Sequence, residues 1–200
     1  MGLRRLEINK IISEGVGAFA HHFPAVATIV TAQANGKENA MAVAWHAPIS
    51  SNPPLYGVSI SPKRFTYQLI ADSKEFGINF LPFEAAELVA SVGGSKGSEI
   101  DKFQRFSIVR NKPVRTAVPI LEAAYAAYEC RLVDDKVYGD HRWLVGEIVA
   151  VHWLKEVFTP DEVIDWTKVS PILYIGKDLY ITISKDTIKS LDRKVYGTGN

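Results

Sequence analysis

The chain has 200 residues, of which 47% are hydrophobic and 22% are charged, and its formal net charge is +1. This composition is ordinary for a globular protein and predicts a single domain, residues 1–200, whose core is large enough to need no disulfide or metal. The charges form no long run of one sign, which argues against a nucleic-acid-binding surface. No apolar run reaches the roughly 18 residues that a membrane helix needs, so no membrane association is predicted.

The single cysteine, Cys130, cannot form an intrachain disulfide, which favours a reducing compartment. It lies in an apolar alternating segment, so a buried, unreactive thiol is favoured over a redox centre. The basic start, Met1–Lys10, is not followed by an uninterrupted apolar segment, and no signal peptide is predicted. We therefore expect a cytoplasmic protein.

The first 22 residues are expected to lead into the main domain, and their periodicity does not distinguish a strand from a helix. His21 and His22 are adjacent, so on a strand their side chains would point to opposite faces. They are interpreted as surface histidines or as residues at the rim of a binding site.

The segment from Phe23 to Thr66 contains three short apolar runs, each closed by a turn signal. Strand-forming residues between such signals predict a β-meander. The runs are Ala25–Ala32, Ala40–Ala47 and Leu55–Ser61.

The middle run has alanine at positions 40, 42, 44 and 47, where a central strand would normally carry bulk. Small side chains at every second position leave room for a flat ligand against the backbone, although tight packing within the sheet would also explain them. The same segment supplies hydroxyl groups and two cations, at Ser50, Ser51, Ser59, Ser61, Thr66, Lys63 and Arg64. A flat slot beside such a cluster suits flavin mononucleotide (FMN).

Six motifs follow one another along the chain. They are Asn39-x-Met41-Ala42-Val43-Ala44-Trp45, Pro48-Ile49-Ser50-x-x-Pro53-Pro54-Leu55, Arg64-x-Thr66, Glu75-Phe76-Gly77-Ile78-Asn79, Asp101-Lys102-Phe103 and Gly139-Asp140-His141. Together they resemble the flavin reductase-like family of FMN-binding split barrels, most closely its flavoredoxin and archaeal ferric-reductase-like branch. The resemblance covers about Phe23 to Trp153. It implies a mainly β fold, a Greek-key split β-barrel with a few short peripheral helices, whose core is residues 23–153.

Further elements are predicted after the meander from periodicity and turn signals. They are a short helix that starts with Thr66–Ile70 and ends before Asp72, a strand at Phe76–Leu81, a helix at Glu84–Ser91 stopped by Gly93-Gly94, and long strands in Ile120–Val137 and Arg142–Trp153. Strand is favoured over helix at Ala123–Ala127. The loop Gly93–Gly97 fits a serine-hydrolase elbow pattern, but a helix precedes it and a polar loop follows, so a hydrolase is disfavoured.

The C-terminal part, residues 154–200, is expected to hold a short helix, a hairpin and a tail. The helix would run from Thr159 to Trp166, with Thr159 as its N-cap. The hairpin would pair Ile172–Ile175 with Leu179–Ile183. The tail after Ser184 would be mobile or would dock on a partner.

An FMN phosphate needs several charge-assisted hydrogen bonds when it leaves water. The resemblance places Arg64, Thr66 and Lys102 at the phosphate, with Ser61 and Lys63 as lesser candidates. The alternative for Lys63 and Arg64 is that they are solvated charges after a proline turn. The isoalloxazine ring needs a flat face and backbone donors. The cofactor-binding candidates are Asn39, Met41, Ala42, Val43, Ala44, Trp45, Ser50, Ser51, Ser61, Arg64, Thr66 and Lys102.

His141 is the catalytic candidate. Similar flavin reductases have Gly-Asp-His at this place, which implies a role in positioning the nicotinamide or the second substrate; a turn histidine bonded to Asp140 is the alternative. Trp45 is either a core aromatic or a lid over the ring, while Asn79 is interpreted as local structure and His46 as a satisfied core or interface histidine. No metal site is predicted, because the histidines lack the spacing of metal ligands.

The resemblance implies an NAD(P)H-dependent flavin reductase-like oxidoreductase. The expected assembly is a homodimer with FMN at the subunit interface, NADH or NADPH as donor, and an unidentified electron acceptor or partner oxygenase. The alternatives are a non-enzymatic flavoredoxin-type electron carrier and a ferric-chelate reductase. The sequence does not separate NADH from NADPH, because split barrels lack the acidic ribose reader of the Rossmann fold.

Overall fold

A computed structural model describes residues 11–189 of the chain. Its strands are β1 (Ala25–Val26), β2 (Thr28–Ala34), β3 (Lys37–Val43), β4 (His46–Ser51), β5 (Pro54–Ile60), β6 (Glu75–Phe80), β7 (Arg110–Asn111), β8 (Ile120–Leu121), β9 (Ala126–Tyr138), β10 (His141–Trp153), β11 (Leu173–Gly176) and β12 (Leu179–Ile181). Its helices are α1 (Phe65–Ser73), α2 (Ala86–Gly93) and α3 (Lys102–Arg105), with single 3-10 turns at Phe83–Ala85, Lys155–Val157 and Lys185–Thr187. Across the described residues, no helix is long and apolar enough to cross a membrane.

Seven strands form one antiparallel sheet in the order β3-β2-β6-β9-β10-β5-β4. Val43 of β3, Phe76 of β6 and Val58 of β5 belong to a single buried cluster, although they come from both halves of the sheet. The sheet must therefore curl around that core, as the staves of a barrel do. Helix α1 adds Leu69 and Ile70 to the same core.

The predicted β-meander is wrong. Its middle run, Ala40–Ala47, is divided at Ala44-Trp45 between β3 and β4, which lie at opposite ends of the sheet order. The chain instead makes two hairpins, β2–β3 and β4–β5. Strand β3 is thus an edge strand, with one side of its backbone free of strand pairing.

Both explanations of the alanines in β3 apply. Ala40 is fully buried against α2, in a second cluster that includes Val89 and Val92. Ala42 is only partly buried. A Cβ added to Gly93 of α2 would lie 3.3 Å from the Cβ of Ala42. Small side chains therefore let α2 approach the strand while part of the edge stays open.

Most of the other predicted elements are confirmed, with shifted ends. Helix α1 extends to Ser73 rather than ending before Asp72, the strand predicted at Phe76–Leu81 is β6, and the helix predicted at Glu84–Ser91 is a 3-10 turn followed by α2. The two long strands are β9 and β10, and the C-terminal hairpin is β11–β12, which pairs with β1. Strand β9 begins only at Ala126, after a turn.

The helix predicted from Thr159 to Trp166 is wrong. These residues form turns, in which Thr159 Oγ1 accepts a hydrogen bond from the Val163 amide at 3.2 Å. Glu162 has φ of +58°, a left-handed conformation that a right-handed helix excludes. Of the predicted tail, residues 190–200 lie outside the described residues.

Cys130 is fully buried in the core, as predicted. Burial, with a smaller contribution from Glu129, raises the pKa of its thiol to about 12. A thiol with so high a pKa is protonated at neutral pH and has little reactivity.

Candidate functional site

The start of α1, the edge strand β3 and the loop between α2 and α3 enclose a cavity of about 430 Å³, which we call the polar cavity. These elements meet because all three helices contact β3. Seven of the predicted cofactor-binding residues line it: Asn39, Met41, Ala42, Ser61, Arg64, Thr66 and Lys102. Two exposed cations, Lys63 and Lys96, also line it.

Asn39 and Thr66 form a buried polar pair in this cavity, with 3% and 1% of their surfaces exposed. The Asn39 Nδ2 donates to Thr66 Oγ1 at 2.8 Å, whereas Asn39 Oδ1 accepts no hydrogen bond from any described residue. An unpaired buried polar atom is costly and uncommon, so it calls for a partner from outside the chain. If the Asn39 side-chain amide is rotated by 180°, the Thr66 hydroxyl donates to its oxygen instead. The unpaired atom is then the amide nitrogen, which is a hydrogen-bond donor.

Gly97 lies directly against Asn39. A Cβ at position 97 would collide with the Asn39 amide, so the loop can come this close only because residue 97 is glycine. The loop and the amide together form a cradle that a larger residue would fill.

Lys102 is buried, with 4% of its surface exposed, and its Nζ donates to the carbonyl oxygens of Ala40 at 3.0 Å and Val92 at 2.6 Å. Burial, helped by the nearby Arg64 guanidinium, lowers the pKa of the Lys102 ammonium to about 8. An ammonium has three donor hydrogens, so one remains for an anion in the polar cavity. Such an anion would relieve the unfavourable proximity of the two cations.

The N-terminus of α1 adds to this electropositive character. Arg64 is the N-cap residue, and no side chain caps the helix. Uncapped amides at a helix N-terminus, together with the helix dipole, favour a bound anion. The donor set of the polar cavity therefore fits a phosphate group.

A second cavity, of about 590 Å³, is mostly apolar, and we call it the apolar cavity. The N-terminal segment, the connection between β3 and β4, and the β11–β12 hairpin form its walls. The predicted site residues that line it are Met41, Val43, Ala44, Trp45 and His141.

The two cavities adjoin one another along β3. Met41 lines both of them, and a third cavity of about 450 Å³ shares Ala42 with the polar one and Val43 and Ala44 with the apolar one. A groove therefore follows the edge of β3 from a cationic, hydroxyl-bearing end to an aromatic end. Its shape and polarity suit a planar ring system that carries a phosphate on a flexible chain.

His141 lies at the tip of the β9–β10 hairpin. Its Nδ1 is 2.8 Å from Asp140 Oδ1, and its ring centroid is 5.0 Å from that of Trp45. The hydrogen bond with His141 lowers the pKa of the Asp140 carboxyl. His141 is thus bonded to Asp140 and also lines the apolar cavity, while its role toward a substrate stays a prediction.

Trp45 is 36% exposed and packs against Phe19, with ring centroids 5.6 Å apart. It is therefore a wall of the apolar cavity and not a core residue. The ring of His22 lies 6.4 Å from that of Trp45, which places it close to the cavity's rim.

Ser50 and Ser51 are not brought to the site within the chain. They end β4, at the other edge of the sheet order from β3, and line none of the three cavities. The Ser50 hydroxyl accepts a hydrogen bond from the Asn52 amide at 3.2 Å and so stabilises a local turn. Their assignment to the cofactor site stays a prediction, since the strand that carries them lies at the other end of the sheet order from β3.

Asn79 and His46 are structural, as predicted. The Asn79 Nδ2 donates to the Ile29 carbonyl at 3.0 Å, and its Oδ1 accepts from the Leu121 amide at 2.8 Å. The two ring nitrogens of His46 lie 2.7 Å from the Tyr56 hydroxyl and 2.8 Å from the Val26 carbonyl.

Several residues that line the groove were missed from the sequence. In the polar cavity they include Ser95, Gly97 and Ser98, whose glycine- and serine-rich loop directly precedes the Asp-Lys-Phe motif and is a usable signal. In the apolar cavity they include Phe19 and Tyr174, for which the local sequence holds no signal. Tyr174 reaches β3 only because β11 pairs with β1.

Residues 20–181 match the family model described as the flavin reductase like domain. The chain belongs to this family. Among solved structures, an FMN-binding protein from Thermus thermophilus with bound p-hydroxybenzaldehyde is 34% identical, with a TM-score of 0.81 over 92% of this chain and 100% of that one. Flavoredoxin from Methanosarcina acetivorans is 25% identical, with a TM-score of 0.78 over 96% and 100% of the two chains.

Two relatives of known activity are also similar. The reductase component of the FADH(2)-dependent resorcinol hydroxylase from Rhizobium sp. is 28% identical over 149 residues, which cover 72% of this chain and 81% of that protein. Ferric-chelate reductase (NAD(P)H) from Archaeoglobus fulgidus is 29% identical over 130 residues, covering 64% and 75%. The predicted family and the mainly β split-barrel fold are confirmed, and the chain is a flavin reductase-like oxidoreductase that acts by flavin-based electron transfer.

Proposed function

We propose that the chain binds FMN along the open edge of β3 and passes electrons from NADH or NADPH to FMN or, through bound FMN, to a small-molecule or protein acceptor. The observation that carries this proposal is the groove that joins the polar cavity to the apolar cavity. It offers an anion-binding end, a middle lined by Ala42 and Ala44, and an aromatic end, in cavities that share lining residues along β3.

The phosphate would be held at the polar end by Lys102, Arg64 and Thr66, with the amides that begin α1. Ser61 and Lys63 line the same cavity and add a hydroxyl and a charge at its rim. Charge-assisted hydrogen bonds of this kind are among the strongest in proteins, because the donor and acceptor attract as ions. In the orientation with the amide nitrogen unpaired, Asn39 would add a further donor.

The ring would lie along residues 41–45, where the edge backbone is accessible. When bound, FMN supplies reversible hydride acceptance, and the protein supplies position and electrostatics. Trp45 and His141 would hold a second planar ligand at the aromatic end. The Asp140 carboxylate fixes the imidazole of His141 through Nδ1, which leaves Nε2 for that ligand.

The names of two relatives support the proposed electron donor and the proposed electron acceptor. A relative named ferric-chelate reductase (NAD(P)H) supports a nicotinamide donor, and a relative that is the reductase component of a hydroxylase supports a partner oxygenase as acceptor. A homodimer is part of the proposal, because a second copy would cover a groove that runs along an open sheet edge. The buried single cysteine supports a reducing compartment such as the cytoplasm.

A second candidate is an electron carrier that keeps FMN bound and uses no nicotinamide. The similarity to flavoredoxin favours it. Reduction of ferric chelates is a third candidate and would use the same FMN site.

The deciding experiment is the visible spectrum of the FMN-loaded protein under anaerobic NADH and NADPH. Rapid bleaching by either nucleotide is expected, and His141→Ala should slow it while FMN stays bound. His21→Ala, an exposed histidine outside both cavities, is the matched control and should bleach like the wild type. Bleaching only with dithionite or a partner protein would favour the carrier, and a protein that takes up no FMN would refute both.

A further inference from the structure

A polar cluster ties the hairpin that carries His141 to the helix that begins at the polar cavity. Asp135 of β9 is its centre: one carboxylate oxygen accepts from Arg142 Nε at 2.5 Å and the other from the Tyr67 hydroxyl at 3.1 Å. The Arg142 Nη2 also donates to the Asp135 carbonyl at 3.2 Å. The Arg142 guanidinium lies 5.5 Å from the centre of the Tyr67 ring.

The positions of these residues along the chain let the cluster connect the two ends of the proposed site. Tyr67 directly follows Thr66 in α1, and Arg142 directly follows His141 in β10. Successive side chains of a strand point to opposite faces. Accordingly, His141 faces Trp45 while Arg142 faces Tyr67.

The side chains of Arg142 and Asp135 are 25% and 21% exposed, whereas Val137 and Tyr138 are 62% and 63% exposed. The Asp140 side chain is 94% exposed. The tip of the hairpin, residues 136–140, is therefore exposed, and the contacts that attach this end of the hairpin to α1 are the hydrogen bond from the Tyr67 hydroxyl to Asp135 and the packing of the Arg142 guanidinium over the Tyr67 ring.

The phenol of Tyr67 remains a hydrogen-bond donor over a wide pH range. Burial and the adjacent Asp135 carboxylate raise the pKa of Tyr67 above its ordinary value. The bond between helix and hairpin is thus retained at any pH at which the protein would be assayed.

We propose that Asp135, with Tyr67 and Arg142, is a positioning group that docks the hairpin end onto α1 and so holds His141 at the aromatic end of the groove. This inference rests on the proposed function, because His141 matters there as the residue that holds the second planar ligand. None of the positioning group's three residues lines any of the three cavities of the groove. The group fixes the distance between the phosphate end of the site and the imidazole.

The test compares Tyr67→Phe and Asp135→Asn with the wild type, and Asp134→Asn is the matched control. Asp134 is the preceding residue and pairs at 3.3 Å with Lys136, whose side chain is 66% exposed. Tyr67→Phe removes one hydroxyl and keeps the ring over Arg142, so the fold is retained. The first measurement is amide hydrogen exchange of residues 138–142 in the FMN-loaded protein, and the second is anaerobic reduction at varied nicotinamide concentration.

Both variants should exchange several-fold faster at the hairpin end than the control does. Their KM for the nicotinamide should rise by about tenfold, with kcat and the FMN dissociation constant within about twofold of the wild type, since only ground-state positioning is lost. Unchanged exchange would overturn the docking, and faster exchange with unchanged KM would overturn the positioning of His141. If the wild type is not reduced by nicotinamides, the proposed function fails, while the exchange data still decide whether the cluster docks the hairpin.

Discussion

At the scale of single residues, Asn39 and Gly97 define the site most narrowly. Asn39 keeps one buried amide atom unpaired, and Gly97 lies so close that any side chain there would push the amide away. A protein that bound nothing here would gain from pairing that atom or replacing it. The arrangement is explained if a ligand completes it.

Gly97→Ala should therefore weaken FMN binding by about tenfold or more, because the added methyl displaces the Asn39 amide from the cavity wall. Gly15→Ala is the control, since a Cβ there would meet nothing within 4 Å and Gly15 lines none of the three cavities. Equilibrium titration with flavin fluorescence measures both. Equal dissociation constants for the two variants would contradict the assignment of this cavity.

The lowered pKa of Lys102 predicts how the free energy of unfolding and the affinity for FMN change with pH. In the folded apoprotein this pKa is about 8, mainly because of burial, against 10.5 for an ordinary lysine. Between these values the unfolded chain binds more protons than the folded one, so the free energy of unfolding of the apoprotein should rise with pH over this window. FMN affinity should change in the opposite direction, because the phosphate needs the charged ammonium.

The FMN dissociation constant of the wild type should increase by about tenfold from pH 7 to pH 9, as one unit of pH above the pKa removes about nine tenths of the charge. Lys102→Met should bind FMN about thirtyfold more weakly at pH 7, a loss of about 2 kcal/mol, and should show little further dependence on pH. Parallel pH curves for the two proteins would exclude Lys102 from the phosphate site.

The phosphate-end residues could be predicted individually because their chemistry is local. A cation, a threonine and a lysine in recognisable motifs indicate an anion site wherever the fold places them. The serines of β4 show the limit of this reasoning. Ser50 and Ser51 have suitable side chains and lie close in sequence, but the strand that carries them belongs to the other end of the sheet order.

At the scale of elements, the long β9–β10 pair contains a position that is sensitive to added bulk. Its register shifts between Val145 and Gly146, where the backbone passes close to the core. A Cβ at Gly146 would lie 2.5 Å from the Phe76 ring and 2.7 Å from the Cys130 Cβ. Neither neighbour can move away, because both are fully buried.

Gly146→Ala should lower the free energy of unfolding by about 2 kcal/mol, a typical cost of overpacking a core. Gly15→Ala is the control, since a Cβ there would meet nothing within 4 Å. Urea denaturation followed by far-ultraviolet circular dichroism measures the difference. If both variants unfold at the same urea concentration, the packing described at the register shift is incorrect.

The errors at this scale have a common physical cause. The three apolar runs were correctly expected to form strands, but their pairing depends on register with β6, β9 and β10, which lie far along the chain. The supposed helix at Thr159–Trp166 had a good N-cap and too little apolar periodicity to outweigh turns around Glu162. Local sequence signals specify whether a segment forms a strand or a helix better than they specify which other strands it pairs with.

At the scale of the whole molecule, the groove is assembled from segments that are distant in sequence. The N-terminal segment, the edge of β3, the α2–α3 loop, the β9–β10 hairpin and the β11–β12 hairpin each provide a wall. The family resemblance predicts that a flavin site exists and where its phosphate lies. The aromatic end could not be predicted, because Tyr174 reaches it through the pairing of β11 with β1 and the sequence around Phe19 holds no signal for its packing on Trp45.

The central claim is that one end of this groove binds a phosphate while the edge of β3 holds the ring. The most direct test is to titrate the apoprotein with FMN and with riboflavin, which has the same ring and no phosphate, and to follow flavin fluorescence. The account predicts one FMN per chain and an affinity at least about a hundredfold higher than that for riboflavin, since several charge-assisted hydrogen bonds are lost with the phosphate. Equal affinities for the two flavins, or no binding of either, would contradict it.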